Sequence, residues 1–277
     1  MNDTASLPAP RPFAVSPRIE LAAVLLLAAA VFLSIPWSMG RVGLSWDALN
    51  HHIYLGWAAE GGRFDKDYLA SNLQATQFPY LYWPVYKLAM ANVSGVVAGS
   101  VLALLHLLAV PPAWWVARLL LPQEGLAGVG LRVAAVALGF MSAVPLKTLE
   151  ATGNDLLVAI PVLWAVAFAL HATVATAAPA SRLRAAVVAG LFAGAAVACK
   201  FSNGPLVILL PLVFAFAADP WSMRVQLAVR CAIATLVGFA VTYGYWGWHL
   251  WQTFGNPMYP FVESVFAPLR AATGWTP

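Results

Sequence analysis

Charge is what this sequence has least of. Only 9% of its 277 residues are Asp, Glu, Lys or Arg, against 61% hydrophobic residues, and the mean hydropathy is +0.77. So little charge leaves no room for a large soluble domain. A net charge of +4 is too small to argue for nucleic acid as a partner. Cysteine is scarce as well. Cys199 and Cys231 sit near opposite ends of their predicted helices, out of reach of a mutual disulfide, and imply no redox role. The sequence also lacks a glycine-rich nucleotide loop, a Walker lysine, a zinc-protease helix and a nucleophile elbow.

What is present is a series of apolar runs of about 20 residues, the length that crosses a bilayer as a helix. They predict an all-α, polytopic transmembrane bundle of about seven spans: 19–38, 94–121, 128–146, 155–175, 185–200, 203–218 and 226–251. The Pro-rich residues 1–18 read as a disordered cytoplasmic N-terminus. The run from Ile19 lacks a convincing small-x-small cleavage site and is long enough to span, so it is expected to stay as the first span of a module covering 19–253. Pro111-Pro112 should kink the second span. The fifth and sixth, separated by Phe201-Ser202-Asn203, should form a tight hairpin. Gly95-x3-Gly99 and Gly190-x3-Gly194 should let helices approach closely.

The basic residues set the expected orientation. With the N-terminus inside, the inner connections carry eight arginines against Asp3, Glu20, Glu124 and Asp219, whereas the outer ones hold seven basic and seven acidic residues. Arginine-rich short connections face the cytoplasm. That leaves a long first outer loop, 39–93, and an outer C-terminal segment, 254–277, on the opposite side.

Most of the unusual chemistry falls in that outer set. Between Trp46 and Tyr68 the chain gathers Asp47, Glu60, Asp65 and Asp67 with Arg63, Lys66, His51 and His52. If a short helix opens near Ser45, Asp47 and His51 are i and i+4 neighbours, a carboxylate beside an imidazole that suits a base or half of a metal site. No third metal ligand is placed by spacing, so no metal site is assigned, although a divalent metal remains compatible. The plainer account is an N-cap aspartate beside interfacial histidines. Asp65 and Asp67 read as surface ion-pairing residues. The aromatic stretch QFPYLYWPVYK (77–87) reads as an interfacial or re-entrant segment, or one wall of a sugar-binding cleft. Lys147, Glu150, Asn154 and Asp155 cluster in KTLEATGND (147–155), and Lys200 closes the fifth span on the same side. A lysine there suits a lipid phosphate, or simply snorkels to the interface. The Asn-Pro and Tyr-Pro steps of FGNPMYPF (254–261) predict an extended path over the outer face.

Taken in order, these stretches resemble the GT-C membrane glycosyltransferases, which use polyprenyl-phosphate sugars. The resemblance rests on SWDALNHHIY after the first span, the long loop GRFDKDYLASNLQATQFPYLYWPVYKL, TGNDLL opening the fourth span, KFSNGPLVILLPL across the fifth and sixth, and GNPMYPF after the seventh. It implies an enzyme of a bacterial inner membrane whose active face is periplasmic. Asp47 would be the base that deprotonates an acceptor hydroxyl on a glycan, lipid or protein. Lys200 would contact the donor phosphate, and Asn154 and Asp155 would line the same face. His51 and Lys147 complete the expected substrate-binding set. Family members usually continue into further spans and a C-terminal periplasmic domain, so the resemblance implies a minimal member, a truncated reading frame or one piece of a split enzyme, the last with a partner subunit supplying that part.

Two other readings compete. A transporter or flippase of a lipid-linked or small anionic substrate would carry midplane charges and internal repeats. Here the helix centres carry almost no charge; His106 and His171 are the main polar exceptions, with packed core histidines as their plainer account. A non-catalytic membrane subunit would depend on a second protein for expression.

Overall fold

The computed structural model describes residues 15–61, 63–64, 66–67, 72–142, 146, 148–149, 151–174 and 176–276. Asp65, Lys147, Glu150 and the Pro-rich residues 1–14 lie outside the described residues. Among those described, every regular element is helical, and one isolated parallel bridge joins Gly43 to Ala151.

The chain runs through α1 (Pro17–Met39), a π turn (Ala48–His52), α2 (Ile53–Gly61), 3-10 turns at Asn72–Thr76 and Tyr80–Tyr82, and α3 (Trp83–Met90). It continues through α4 (Gly95–His106), α5 (Val110–Leu120), α6 (Gly125–Phe140), α7 (Asp155–Thr173) and α8 (Pro179–Cys199). A 3-10 turn at Phe201–Asn203 leads into α9 (Gly204–Leu209) and a longer 3-10 stretch (Leu210–Phe216), before α10 (Trp221–Phe254) and α11 (Glu263–Thr273).

Five helical stretches are long and apolar enough to cross a membrane: α1, α4 with α5, α7, α8 and α10. Leucines and valines lie exposed along their surfaces, as lipid-facing helices require. The third and sixth expected spans fold as shorter apolar segments, Gly125–Phe140 and Phe201–Phe216. In the sixth, Pro205 and Pro211 each stand in the first turn of a new segment, dividing the run into α and 3-10 pieces. The expected Pro111-Pro112 kink appears as a 3-10 turn at Leu107–Ala109 separating α4 from α5. The first helix begins at Pro17, so residues 17 and 18 belong to α1 and not to an unstructured tail.

Small residues bring the core helices together. A Cβ on Gly190 would sit 2.2 Å from the Cys231 carbonyl oxygen, one on Gly194 2.0 Å from that of Thr235, and one on Gly238 2.3 Å from that of Leu191. Contacts that rise together along both chains mean that α8 and α10 run parallel. Alanines 185, 186, 189, 193 and 196 fill the seam with Leu227 and Cys231, the dense backbone approach that replaces hydrophobic collapse in lipid. On the Gly95 side, a Cβ would lie 3.0 Å from the Cα of Arg41, so that glycine lets α4 pass close to the end of α1. Both cysteines are free.

At one end of the bundle, Glu20 is buried and accepts from Arg132 Nε (2.6 Å) and Nη2 (2.8 Å), Trp114 Nε1 (2.9 Å) and Arg118 Nη1 (3.3 Å). This clamp joins α1, α5 and α6. Where α7, α8 and the start of α10 meet, Arg182 donates to Ala172 O (2.7 Å) and to Asp219, while Arg224 donates to the carbonyls of Asp219 and Ala215. Four of the arginines assigned to the inner side thus tie helix ends together. The 34-residue α10 is about 51 Å long, far more than the ~30 Å hydrocarbon core. Its excess rises past Ala198 at the opposite end, where Tyr243, Trp246 and Leu250 pack against Phe78 and Tyr80 of the first loop. That overhang forms one wall of the end that carries the chemistry.

Candidate functional site

The site is assembled where four separate stretches meet at the end of the bundle opposite Glu20. Gly43 bridges to Ala151, which pins the chain after α1 against the start of α7. Ser45 Oγ accepts from Ala48 N at 3.1 Å and so caps the turn. Asp47 makes no capping bond, which corrects the plainer account of this residue. Its carboxylate is half exposed and lies 3.9 Å from His51 Nδ1. The π turn that follows adds a residue to the helical circuit, and such turns recur at functional sites. Here it carries both histidines inward, His51 at 4% exposure and His52 at 6%.

His52 is held on two sides. Its Nδ1 lies 2.9 Å from Thr152 Oγ1, and its ring stacks on Tyr82 with centroids 4.6 Å apart. Burial drives its pKa down to about 4, with the neighbouring His51 adding to the effect. Burial likewise lowers His51, against the opposing pull of Asp47. Both imidazoles are therefore neutral at pH 7. Tyr82 hydrogen-bonds the Asn154 side chain, and burial raises its pKa, so it stays a phenol.

From the other side come Asn154 and Asp155, at the N-terminus of α7, and Lys200, at the end of α8. Lys200 Nζ pairs with Asp155 Oδ1 and lies 3.5 Å from Asn154 Oδ1. Asn203 Nδ2 donates to Ala196 O at 2.9 Å and Val158 O at 3.4 Å, locking the hairpin that presents Lys200. Beside Lys200 opens a cleft of about 190 Å³ lined with Phe78, Phe201, Tyr243, Tyr259 and Phe261. An ammonium at the rim of an aromatic cleft matches a molecule with one anionic group and an apolar or sugar-like body.

Five of the residues singled out from the sequence, Asp47, His51, Asn154, Asp155 and Lys200, thus meet in one place; Lys147 lies outside the described residues. Sequence reasoning passed over Thr152, Tyr82 and the inward role of His52. Thr152 belongs to the TGND stretch that was singled out, but nothing in the spacing reveals that it meets a histidine one hundred residues earlier. The aromatic stretch 77–87 divides: Phe78 and Tyr82 are buried, whereas Trp83 is exposed, so it is largely a wall and only partly a belt. The remaining described carboxylates of the loop are engaged. Arg63 holds Asp67 at 2.9 Å, while Glu60 pairs with Lys87 and accepts from Trp83 Nε1 at 2.9 Å. The C-terminal segment follows a run of turns, Tyr259 N to Asn256 O and Phe261 N to Met258 O, and not the expected extended path. Of the helix-centre histidines, His106 Nδ1 bonds Leu149 O at 3.1 Å and His171 packs on Trp115. Among the described residues, no three His, Cys, Asp or Glu side chains group to hold a metal ion.

No family model matches this chain, no curated protein matches it, and no solved structure matches it. The class is defined by the fold alone: an all-helical, multi-pass membrane protein with a polar cluster at one end of its bundle.

Proposed function

We propose that this chain is a membrane glycosyltransferase that moves a sugar from a polyprenyl-phosphate donor to an acceptor hydroxyl on the periplasmic side of a bacterial inner membrane. The observation that carries the reading is the convergence of a half-exposed carboxylate, Asp47, and a lysine at the rim of an aromatic cleft, Lys200, at one end of the bundle. With no nucleotide-binding motif in the chain, an activated sugar at this end has to come attached to a lipid.

Asp47 takes the proton of the acceptor hydroxyl as the oxygen attacks the sugar C1. The C1–O bond to the phosphate breaks on the opposite face and its electron pair leaves with the phosphate oxygen. Lys200 neutralises the charge that develops there. The aromatic cleft positions the reactants, which is the larger part of what such a transfer needs. His51 and His52 stay neutral beside Asp47.

The reading includes seven crossings with the N-terminus in the cytoplasm. The Phe201–Phe216 segment holds ten residues in 3-10 turns and six in α9. At 2.0 and 1.5 Å per residue it reaches about 29 Å, close to the hydrocarbon thickness. α6 reaches about 24 Å, and its arginine clamp at the Glu20 end supports the same alternation.

The test is release or transfer of sugar from a panel of polyprenyl-phosphate sugars by purified protein in nanodiscs, wild type against Asp47→Asn. Sugar released by the wild type and not by the variant supports the reading and identifies the donor. A folded wild type that releases none from any donor removes it.

A further inference from the structure

The cation assigned to the lipid phosphate is already occupied. Lys200 pairs with Asp155, the first residue of α7, and Asn154 at the N-cap makes no side-chain capping bond. The carboxylate therefore draws on a lysine and on the uncapped positive end of a 19-residue helix. Those are the two stabilisers that an arriving phosphate would use at the same spot. Both partners are reachable, with Lys200 34% and Asp155 61% exposed at the side chain, and a pair so exposed exchanges readily with a competing anion. Among the described residues grouped here, Lys200 is the one lysine or arginine. His51 and His52 are neutral, so Asp155 is the charged group that Lys200 faces.

We propose that Asp155 is an internal anion that competes with the lipid phosphate for Lys200, yielding the lysine when donor binds and recapturing it as the spent lipid leaves. The proposal rests on the glycosyltransferase reading. The donor is a phosphodiester with one negative charge. Transfer forms the acceptor O–C1 bond, breaks the C1–O(phosphate) bond, leaves the electron pair on the phosphate oxygen and puts the acceptor proton on Asp47. The spent carrier is a phosphomonoester carrying up to two negative charges, so it holds Lys200 more tightly than the donor did. A carboxylate poised beside the lysine opposes that retention. If Asp155 instead held only the sugar, removing its charge would leave the affinity for a sugarless phosphate unchanged.

The experiment titrates the full chain, in nanodiscs of zwitterionic lipid, with farnesyl phosphate and separately with inorganic phosphate. Asp155→Asn should bind farnesyl phosphate about tenfold more tightly than wild type, the effect of removing one like charge a few ångströms from the phosphate. Asp155→Glu should bind as wild type does, and Lys200→Gln should lose most binding. An equal gain with inorganic phosphate would assign the competition to the phosphate group alone; a gain with farnesyl phosphate only would add the aromatic cleft as the seat of its tail. Weaker or unchanged binding by Asp155→Asn, with wild-type binding intact, overturns the competition and leaves the transferase reading standing. Absence of binding by both proteins removes the two together. Melting curves verify that each variant is folded, and Asp155→Ser carries the same expectation should Asp155→Asn unfold.

Discussion

Asp47 and His52 sit five residues apart and answer to different forces. Asp47 keeps a half-exposed carboxylate with no capping duty, so no helix cap depends on its charge. Asp47→Asn should therefore lower transfer by roughly 10²–10⁴-fold, the range of general-base catalysis, while leaving the melting temperature unchanged. Comparing turnover with thermal unfolding on one preparation checks both halves. His52, by contrast, is buried against Thr152 and Tyr82 with a pKa near 4. In the unfolded chain it titrates near 6.5, so between those values the unfolded state binds more protons and stability falls as pH falls. That contribution is complete above pH 6.5 and lost toward pH 4, and is worth about 3 kcal/mol at most. Melting temperature should drop from pH 7.5 to pH 5 in the wild type. His52→Gln should flatten that dependence; an equally steep fall in the variant would place the titrating group elsewhere.

At the scale of elements, two devices hold the bundle together and fail differently. The α8–α10 seam depends on glycines whose missing Cβ atoms let backbones touch. Gly194→Leu would drive a side chain into the carbonyl of Thr235 and force the helices apart, and overpacking of this kind costs about 1–3 kcal/mol or more. The Lys200 cleft shares those two helices, through Ala198 and Cys199 on α8 and Tyr243 on α10, so ligand binding should weaken along with stability. The Glu20 clamp is electrostatic. Glu20→Gln strips the buried counter-charge from Arg132 while the guanidinium stays in place, a loss of about 3–5 kcal/mol. It lies at the far end of the bundle, so in folded protein the site should keep its affinity for phosphate. Chemical denaturation with a parallel phosphate titration separates the two cases.

Over the whole molecule, the topology is open to direct test. In a Cys199→Ser, Cys231→Ser background, single cysteines replacing Ser45, Ser202 and Ser222 can be labelled in intact cells with an impermeant maleimide. Ser45→Cys and Ser202→Cys should react from the same, outer side, and Ser222→Cys only after the membrane is opened. Labelling of Ser202→Cys and Ser222→Cys from one side would show that Phe201–Phe216 does not cross. The overhang of α10 past α8 explains why one end of the bundle has room for a site. Its extra turns and the first loop build a cleft that a helix trimmed to the bilayer could not.

Composition and apolar run length by themselves determined that this is an all-helical membrane protein, because a segment that must satisfy its own backbone in lipid has few alternatives to a helix. The proline kink, the glycine seam and the end-to-end grouping of Asp47, Asn154, Asp155 and Lys200 were legible for the same reason: each follows from local chemistry or from the alternation of apolar runs. The tertiary structure alone decided the rest. It alone shows that Ser45 and not Asp47 caps the first turn, that a π turn carries both histidines inward, and that Thr152 and Tyr82 close around His52. It also decides that Lys200 is held by Asp155. These contacts join residues far apart in the chain, and their partners are chosen by packing at the ends of helices, where hydrophobic periodicity carries no information.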